Sequence, residues 1–187
     1  DKKLIVSKTI TKTEDGTTSA ADAMTFENLY EAKGTAKVQV AKHLTGRELK
    51  DTDEFTFTLS ALKGAPLVDG NGNDIAPSSL TIRNGKDGVL VEFPILNYDI
   101  TDEGQTYLYK IVENDFSENA PGVRRDTVNG PDEIYVRVEV PADQRTGSLG
   151  EARVSYFSDE ACKKPLEKSQ FVNQYVTDGK LQLGGRK

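Results

Sequence analysis

Cysteine is almost missing from this sequence. Cys162 is the only one in 187 residues, so no disulfide can form within the chain. An extracellular domain of this composition needs a different staple, or none. Histidine also occurs once, as His43, which leaves Cys162 a single possible base and makes a thiol nucleophile a poor reading. No group of His, Cys, Asp and Glu has zinc-ligand spacing, and no glycine loop fits a phosphate. The motifs therefore call for no cofactor and no metal. The stretch "DGNGND" at 69–74 starts like a calcium loop, with Asp69, Asn71 and Asn73 at alternate positions. It has Asp74 where the loop needs glycine and Leu80 where it needs glutamate, so it reads as a turn.

Excess basic charge is absent too. With 24 Lys and Arg against 30 Asp and Glu, the net charge is −6, which argues against nucleic acid and anionic membrane as partners. No apolar run approaches the roughly 18 residues of a membrane-spanning helix, and the chain opens without a signal-peptide pattern. Carboxylates are too common for any one pair to single itself out as an acid–base couple.

What is there is β-structure. Short alternating runs rich in Val, Ile, Thr, Phe and Tyr recur between turn signals, and the pattern predicts strands near 36–44, 54–62, 79–83, 88–93, 105–113, 134–140, 152–157 and 171–176. The breaks hold "RNGKDG", "ENAPG", "VNGPDE" and "DQRTG", dense in Gly, Pro, Asn and Asp. No stretch beyond residue 35 sustains an i, i+3, i+4 apolar pattern. An all-β, antiparallel two-sheet sandwich of the immunoglobulin kind is expected. Residues 1–30 differ: "TEDGTTSAADA" reads as a polar connector between "LIVSKTI" and "TFENLY".

Three residues break the alternation. Residues i, i+2 and i+4 of a strand share one face, so "KVQVAKHL" turns Val38, Val40, Lys42 and Leu44 inward and places a lysine among aliphatics. In "TYLYKIVE" the inward row is Tyr107, Tyr109, Ile111 and Glu113, and in "FVNQY" it is Phe171, Asn173 and Tyr175. In "IYVRVEV", by contrast, Ile134, Val136, Val138 and Val140 face inward and Glu139 outward. His43, next to Lys42, faces out as a solvated side chain. Each misfit has a bland reading: a lysine snorkels to water, a terminal glutamate turns outward, an asparagine marks a turn. Together they form a chemical set. An amine, an amide and a carboxyl in one apolar core can condense into a Lys–Asn isopeptide bond with loss of ammonia. Burial disfavours the charged forms of amines and carboxyls alike. The neutral amine is then a nucleophile, and a protonated carboxyl can hydrogen-bond the amide oxygen and shuttle protons. Leaving all three charged or unpaired in the core is costly, and the reaction removes that cost.

At these residues the chain resembles the isopeptide-linkage domains of Gram-positive pilins and surface adhesins, the CnaB-like, streptococcal-pilin type. The resemblance rests on "AKHLTGRELKDTDEFTFTL" at 41–59, "YLYKIVEND" at 107–115 and "FVNQY" at 171–175, and covers roughly residues 33–176. It implies a bond between Lys42 of the first strand and Asn173 of the last, assisted by Glu113. It also implies a structural role rather than an enzymatic one: a stalk or shaft module of a cell-wall-anchored fimbrial or adhesin protein on the bacterial surface. Its only chemistry would be one autocatalytic turnover. The alternative is a ligand-binding adhesin domain whose long loops, 63–79 and 114–133, contact host protein or glycan.

A long internal period adds to this. Asn28 and Asn173, Tyr30 and Tyr175, and Lys42 and Lys187 share one offset of 145 residues (173 − 28). A period this long reads as a tandem array. Residues 1–30 then hold the end of a preceding repeat plus linker, 31–176 the sandwich domain, and 177–187, with "KLQLGGRK", the first strand of a following repeat. The expected partners are adjacent repeats of the same surface protein. Asn28 and Lys187 become orphan crosslink residues whose partners lie in neighbouring repeats.

Overall fold

The computed structural model describes residues 10–21, 30–68, 72–75, 79–83, 86–142 and 147–176. The chain divides into two compact units, Asp1–Tyr30 and Glu31–Lys187. In the first, β1 (Ile10–Glu14) pairs antiparallel with β2 (Thr17–Ala21), from Ile10 opposite Ala21 to Glu14 opposite Thr17. The stretch expected to be a connector is thus a hairpin. Its turn is Asp15–Gly16, with φ of 47° and 77°. Positive φ at both central residues gives the turn whose twist matches the flanking strands, and Asp-Gly is among the pairs that adopt it readily. The polar side chains of β1 hid the strand, since the hairpin has no apolar face for alternation to mark.

The second unit is all β. Its strands are β3 (Lys33–Ala36), β4 (Gln39–Thr45), β5 (Thr56–Leu62), β6 (Ser79–Arg83), β7 (Leu90–Glu92), β8 (Leu96–Tyr98), β9 (Thr106–Glu113), β10 (Val123–Arg125), β11 (Glu133–Glu139), β12 (Ser148–Glu151), β13 (Arg153–Phe157) and β14 (Gln170–Tyr175). A five-stranded sheet runs β13-β11-β9-β5-β6 and a four-stranded one β10-β14-β4-β7. A smaller sheet, β12-β3-β8, completes the unit. Among the described residues the one helical element is a 3-10 turn, Ile100–Asp102, capped by Asp99.

The β-sandwich is the one the alternation predicts. Ile134, Val136, Val138 and Val140 of β11 and its end are buried, while Glu139 is partly exposed. Phe57 of β5 stacks on Phe171 of β14, ring centres 5.5 Å apart, and so joins the two larger sheets across the core. Two details were not visible in the alternation. The expected strand at 36–44 is two strands, β3 and β4, which join different sheets. Within the largely antiparallel sandwich, β4 and β14 run parallel, as do β3 and β12. Alternation reports which face a residue takes, and it is the same for either strand direction.

The segment 114–133 is less of a free loop than expected. It contains β10, and Phe116, Ala120 and Val123 are buried in the core. Residues 63–68, 72–75 and 79 of the loop 63–79 are described, and Ala65 and Leu67 near its start are buried. Asp69 and Asn71 of the calcium-like stretch lie outside the described residues, and among those described no acidic or His/Cys group could hold a metal ion.

Candidate functional site

Lys42, Glu113 and Asn173 come together in the interior. Their relative exposures are 1%, 3% and 0%, so all three sit where a polar group is normally excluded. Lys42 comes from the middle of β4, Glu113 from the last position of β9 in the facing sheet, and Asn173 from β14. The parallel pairing of β14 on β4 sets Phe171 opposite Lys42 and Asn173 opposite Leu44, so lysine and asparagine are diagonal neighbours on the inward face.

The end of that strand pair is held closely. Gly46 follows β4 with φ of +87°, and a Cβ there would stand 2.8 Å from the Tyr175 carbonyl oxygen, so only glycine fits both the dihedral and the gap. Arg47 forms a two-pronged pair with Asp53, at 2.5 and 2.8 Å, and its guanidinium lies 4.7 Å from the Tyr175 ring. Thr45 Oγ1 donates to the Asn173 backbone carbonyl at 3.3 Å. These contacts account for Thr45, Gly46 and Arg47 of the "LTGR" run, which ends the lysine strand and leads out of it.

Glu113 is the hub of the trio. Lys42 Nζ lies 2.6 Å from Glu113 Oε1 in a buried ion pair. Asn173 Nδ2 donates to both carboxylate oxygens, at 3.3 Å to Oε1 and 3.1 Å to Oε2. The Asn173 Oδ1 atom is buried and accepts no hydrogen bond from a described residue. The carboxyl therefore faces the amide nitrogen, not the amide oxygen that the sequence reading assigned to it. A carboxylate oxygen accepts, so it draws the NH2 end of the amide.

Aromatic rings close the rest of the chamber. Lys42 Nζ stands 4.4 Å from the Phe55 ring centre and 5.6 Å from that of Phe116, and those two rings pack at 5.0 Å. Burial is the main reason the Lys42 pKa falls from 10.5 to about 8; the neighbouring Glu113 charge opposes the fall. A desolvated amine of this kind carries a much larger neutral, nucleophilic fraction near neutral pH than a surface lysine. His43 faces outward as expected, though its Nδ1 lies 3.2 Å from Asp87 Oδ1. Asn28 and Lys187 lie outside the described residues.

Sequence reasoning missed the aromatic lid and Arg125. Phe55 shares the face of Phe57 and Leu59 in the expected strand 54–62 and so reads as ordinary core, while Phe116 falls three residues after β9, beyond that strand's inward row. Arg125 lies on a three-residue strand too short to show alternation.

The family model described as "FctA: Spy0128-like isopeptide containing domain" matches residues 38–176, a span that includes Lys42, Glu113 and Asn173. Among solved structures, the chain is similar to the major pilin of Streptococcus pyogenes at 16% identity and a TM-score of 0.40, covering 80% of this chain and 51% of that one. A glutamate-to-alanine mutant of that pilin matches at 14% identity and a TM-score of 0.40, covering 75% of this chain and 50% of the mutant. An asparagine-to-alanine mutant matches at 15% identity and 0.38, covering 75% and 50%. The chain spans about half the length of the pilin chains it matches. No curated protein matches it significantly. On the strength of the matched 38–176, the chain belongs to the FctA family of Spy0128-like isopeptide-containing domains.

Proposed function

We propose that this chain is a structural shaft module of a fibre on the surface of a Gram-positive bacterium. On this reading β4 and β14, neighbours in the four-stranded sheet, are locked together by an isopeptide bond between Lys42 and Asn173, and the fibre is held in the cell wall through regions beyond this sequence. The observation that carries the reading is a buried amine and a buried amide that both contact one buried carboxyl, inside a domain of the pilin-type family.

The chemistry follows from the contacts. Lys42 gives a proton to Glu113 Oε1, which lies 2.6 Å from Nζ. The free amine then attacks Asn173 Cγ, and a C–N bond forms. Glu113 returns that proton from Oε1 to Nδ2, 3.3 Å away, as the Cγ–Nδ2 bond breaks and ammonia leaves. The freed carboxylate takes the second Nζ proton, so the new bond is a neutral secondary amide and the carboxyl ends protonated. The atoms balance: amine plus primary amide gives secondary amide plus ammonia. No co-reactant is needed. Both groups are held by packed strands, so the step is intramolecular, and effective molarities in well-oriented cases are very large. Phe55 and Phe116 exclude water, which protects the amide from hydrolysis and favours the neutral amine.

The product is a tie between neighbouring strands at opposite ends of the sequence. Tension entering at β4 would leave through β14 without pulling on the strands between, which is the property a shaft needs. Intact-mass measurement tests the reading, since bond formation removes one ammonia and nothing else.

A further inference from the structure

Arg125 stands at the edge of the trio and plays no part in the chemistry described so far. It ends β10, and its ladder partner on the adjacent strand is Asn173. Its guanidinium reaches the end of β9. There Nη2 donates to the backbone carbonyl of Glu113, and to that of Asn114 at 3.3 Å. Its Nε lies 3.7 Å from Glu113 Oε2. The group also sits 5.8 Å from the Phe116 ring, the ring that borders Lys42 Nζ.

This arrangement divides the carboxyl between two cations. Lys42 takes Oε1 and Arg125 flanks Oε2. A planar guanidinium that grips backbone carbonyls and a carboxylate edge together restricts rotation of that carboxylate in a way a point charge does not. The charged groups facing the lysine amine are Glu113 from β9, Arg125 from β10 and Asp87 from the turn before β7. Of these, only Arg125 carries the same sign as the ammonium, and a like charge favours its neutral form.

We propose that Arg125 is a positioning residue for bond formation: it fixes Glu113 with one oxygen on Lys42 Nζ and its carboxylate edge toward Asn173 Nδ2. The inference rests on the crosslinking reading given above.

The test uses chains recovered unfolded from inclusion bodies and refolded between about pH 6 and about pH 9, with ammonia loss followed by intact mass. Arg125→Gln should crosslink about tenfold more slowly than the parent near neutral pH, with the inflection of its rate profile moved to higher pH. Arg125→Lys, which keeps the charge without the fork, should retain the parent's inflection and recover part of the rate. Arg125→Met keeps the aliphatic stem and serves in place of the Gln variant if that chain does not fold. An Arg125→Gln chain that matches the parent in rate and inflection overturns the inference. So does one slowed with its inflection unmoved and matched by an equally slow Arg125→Lys, because that pattern is loss of structure alone. A parent that never loses ammonia sinks the crosslinking reading and this inference with it; a parent that crosslinks while the variants keep pace sinks only the role of Arg125.

Discussion

Lys42 and Asn173 are diagonal neighbours on two parallel strands, although 131 residues (173 − 42) separate them in sequence. Parallel neighbours cannot be joined by a tight turn, so the whole sandwich is wound between them. A bond at this point closes nearly the entire domain into one loop.

The first consequence is stability. In Asn173→Ala the Lys42–Glu113 pair survives but no bond can form. In the chain-entropy treatment used for disulfides, closing a loop this long is worth about 5 kcal/mol. At about 2–4 °C per kcal/mol for a chain of this size, the variant should melt roughly 10–20 °C below the parent. Calorimetry checks this, and equal melting would argue that no covalent closure exists.

Much of this was legible in the sequence, for a specific reason. Lys42, Glu113 and Asn173 each interrupt an apolar row, and a two-residue period assigns faces without knowledge of strand order. All three proved buried. The same period says nothing about direction, so the parallel β4–β14 pair was invisible. It also fails where a strand has no apolar face, as in the β1–β2 hairpin, or has three residues, as in β8 and β10. Which end of the Asn173 amide meets Glu113 is a matter of local hydrogen bonding that spacing cannot encode.

A second expectation concerns the proton relay. Glu113→Gln keeps the shape of the side chain but cannot take the proton from Lys42. The variant should fold, keep its full mass for far longer than the parent, and lose at least about a hundredfold in crosslinking rate, the lower end for a missing acid–base group. Mass spectrometry over time reads this directly. Crosslinking at the parental rate would mean that Glu113 is not the relay.

The pH dependence follows from Lys42. With a pKa lowered to about 8, chiefly by burial, the free-amine fraction rises about tenfold per pH unit below that value and levels off above it. Ammonia loss during refolding should follow the same curve. Stability has its own sign: the folded pKa lies below the unfolded 10.5, so folding expels a proton. The burial penalty is therefore fully present below about 8 and is relieved as pH rises toward 10.5. The uncrosslinked Asn173→Ala chain should gain resistance to urea from pH 8 upward, until the tyrosines of the unfolded chain begin to ionise at about pH 10. A urea midpoint that falls between pH 8 and about pH 9 would contradict this assignment.

The 145-residue offset predicts behaviour beyond this sequence. Asn28 and Lys187 should stay unreacted within these 187 residues, because each lacks a partner at the spacing that separates Lys42 from Asn173. A longer chain that carries the adjacent repeats should lose one further ammonia for each completed domain. Peptide mapping that finds Asn28 or Lys187 crosslinked here, or added repeats that bring no extra loss, would defeat the tandem reading.

The most direct measurement is the intact mass of the folded protein, followed by tryptic mapping. The account predicts a mass one ammonia below that of the sequence and a branched peptide in which Lys42 is joined to Asn173. A folded chain of full sequence mass, with Lys42 and Asn173 recovered on separate unmodified peptides, would contradict it.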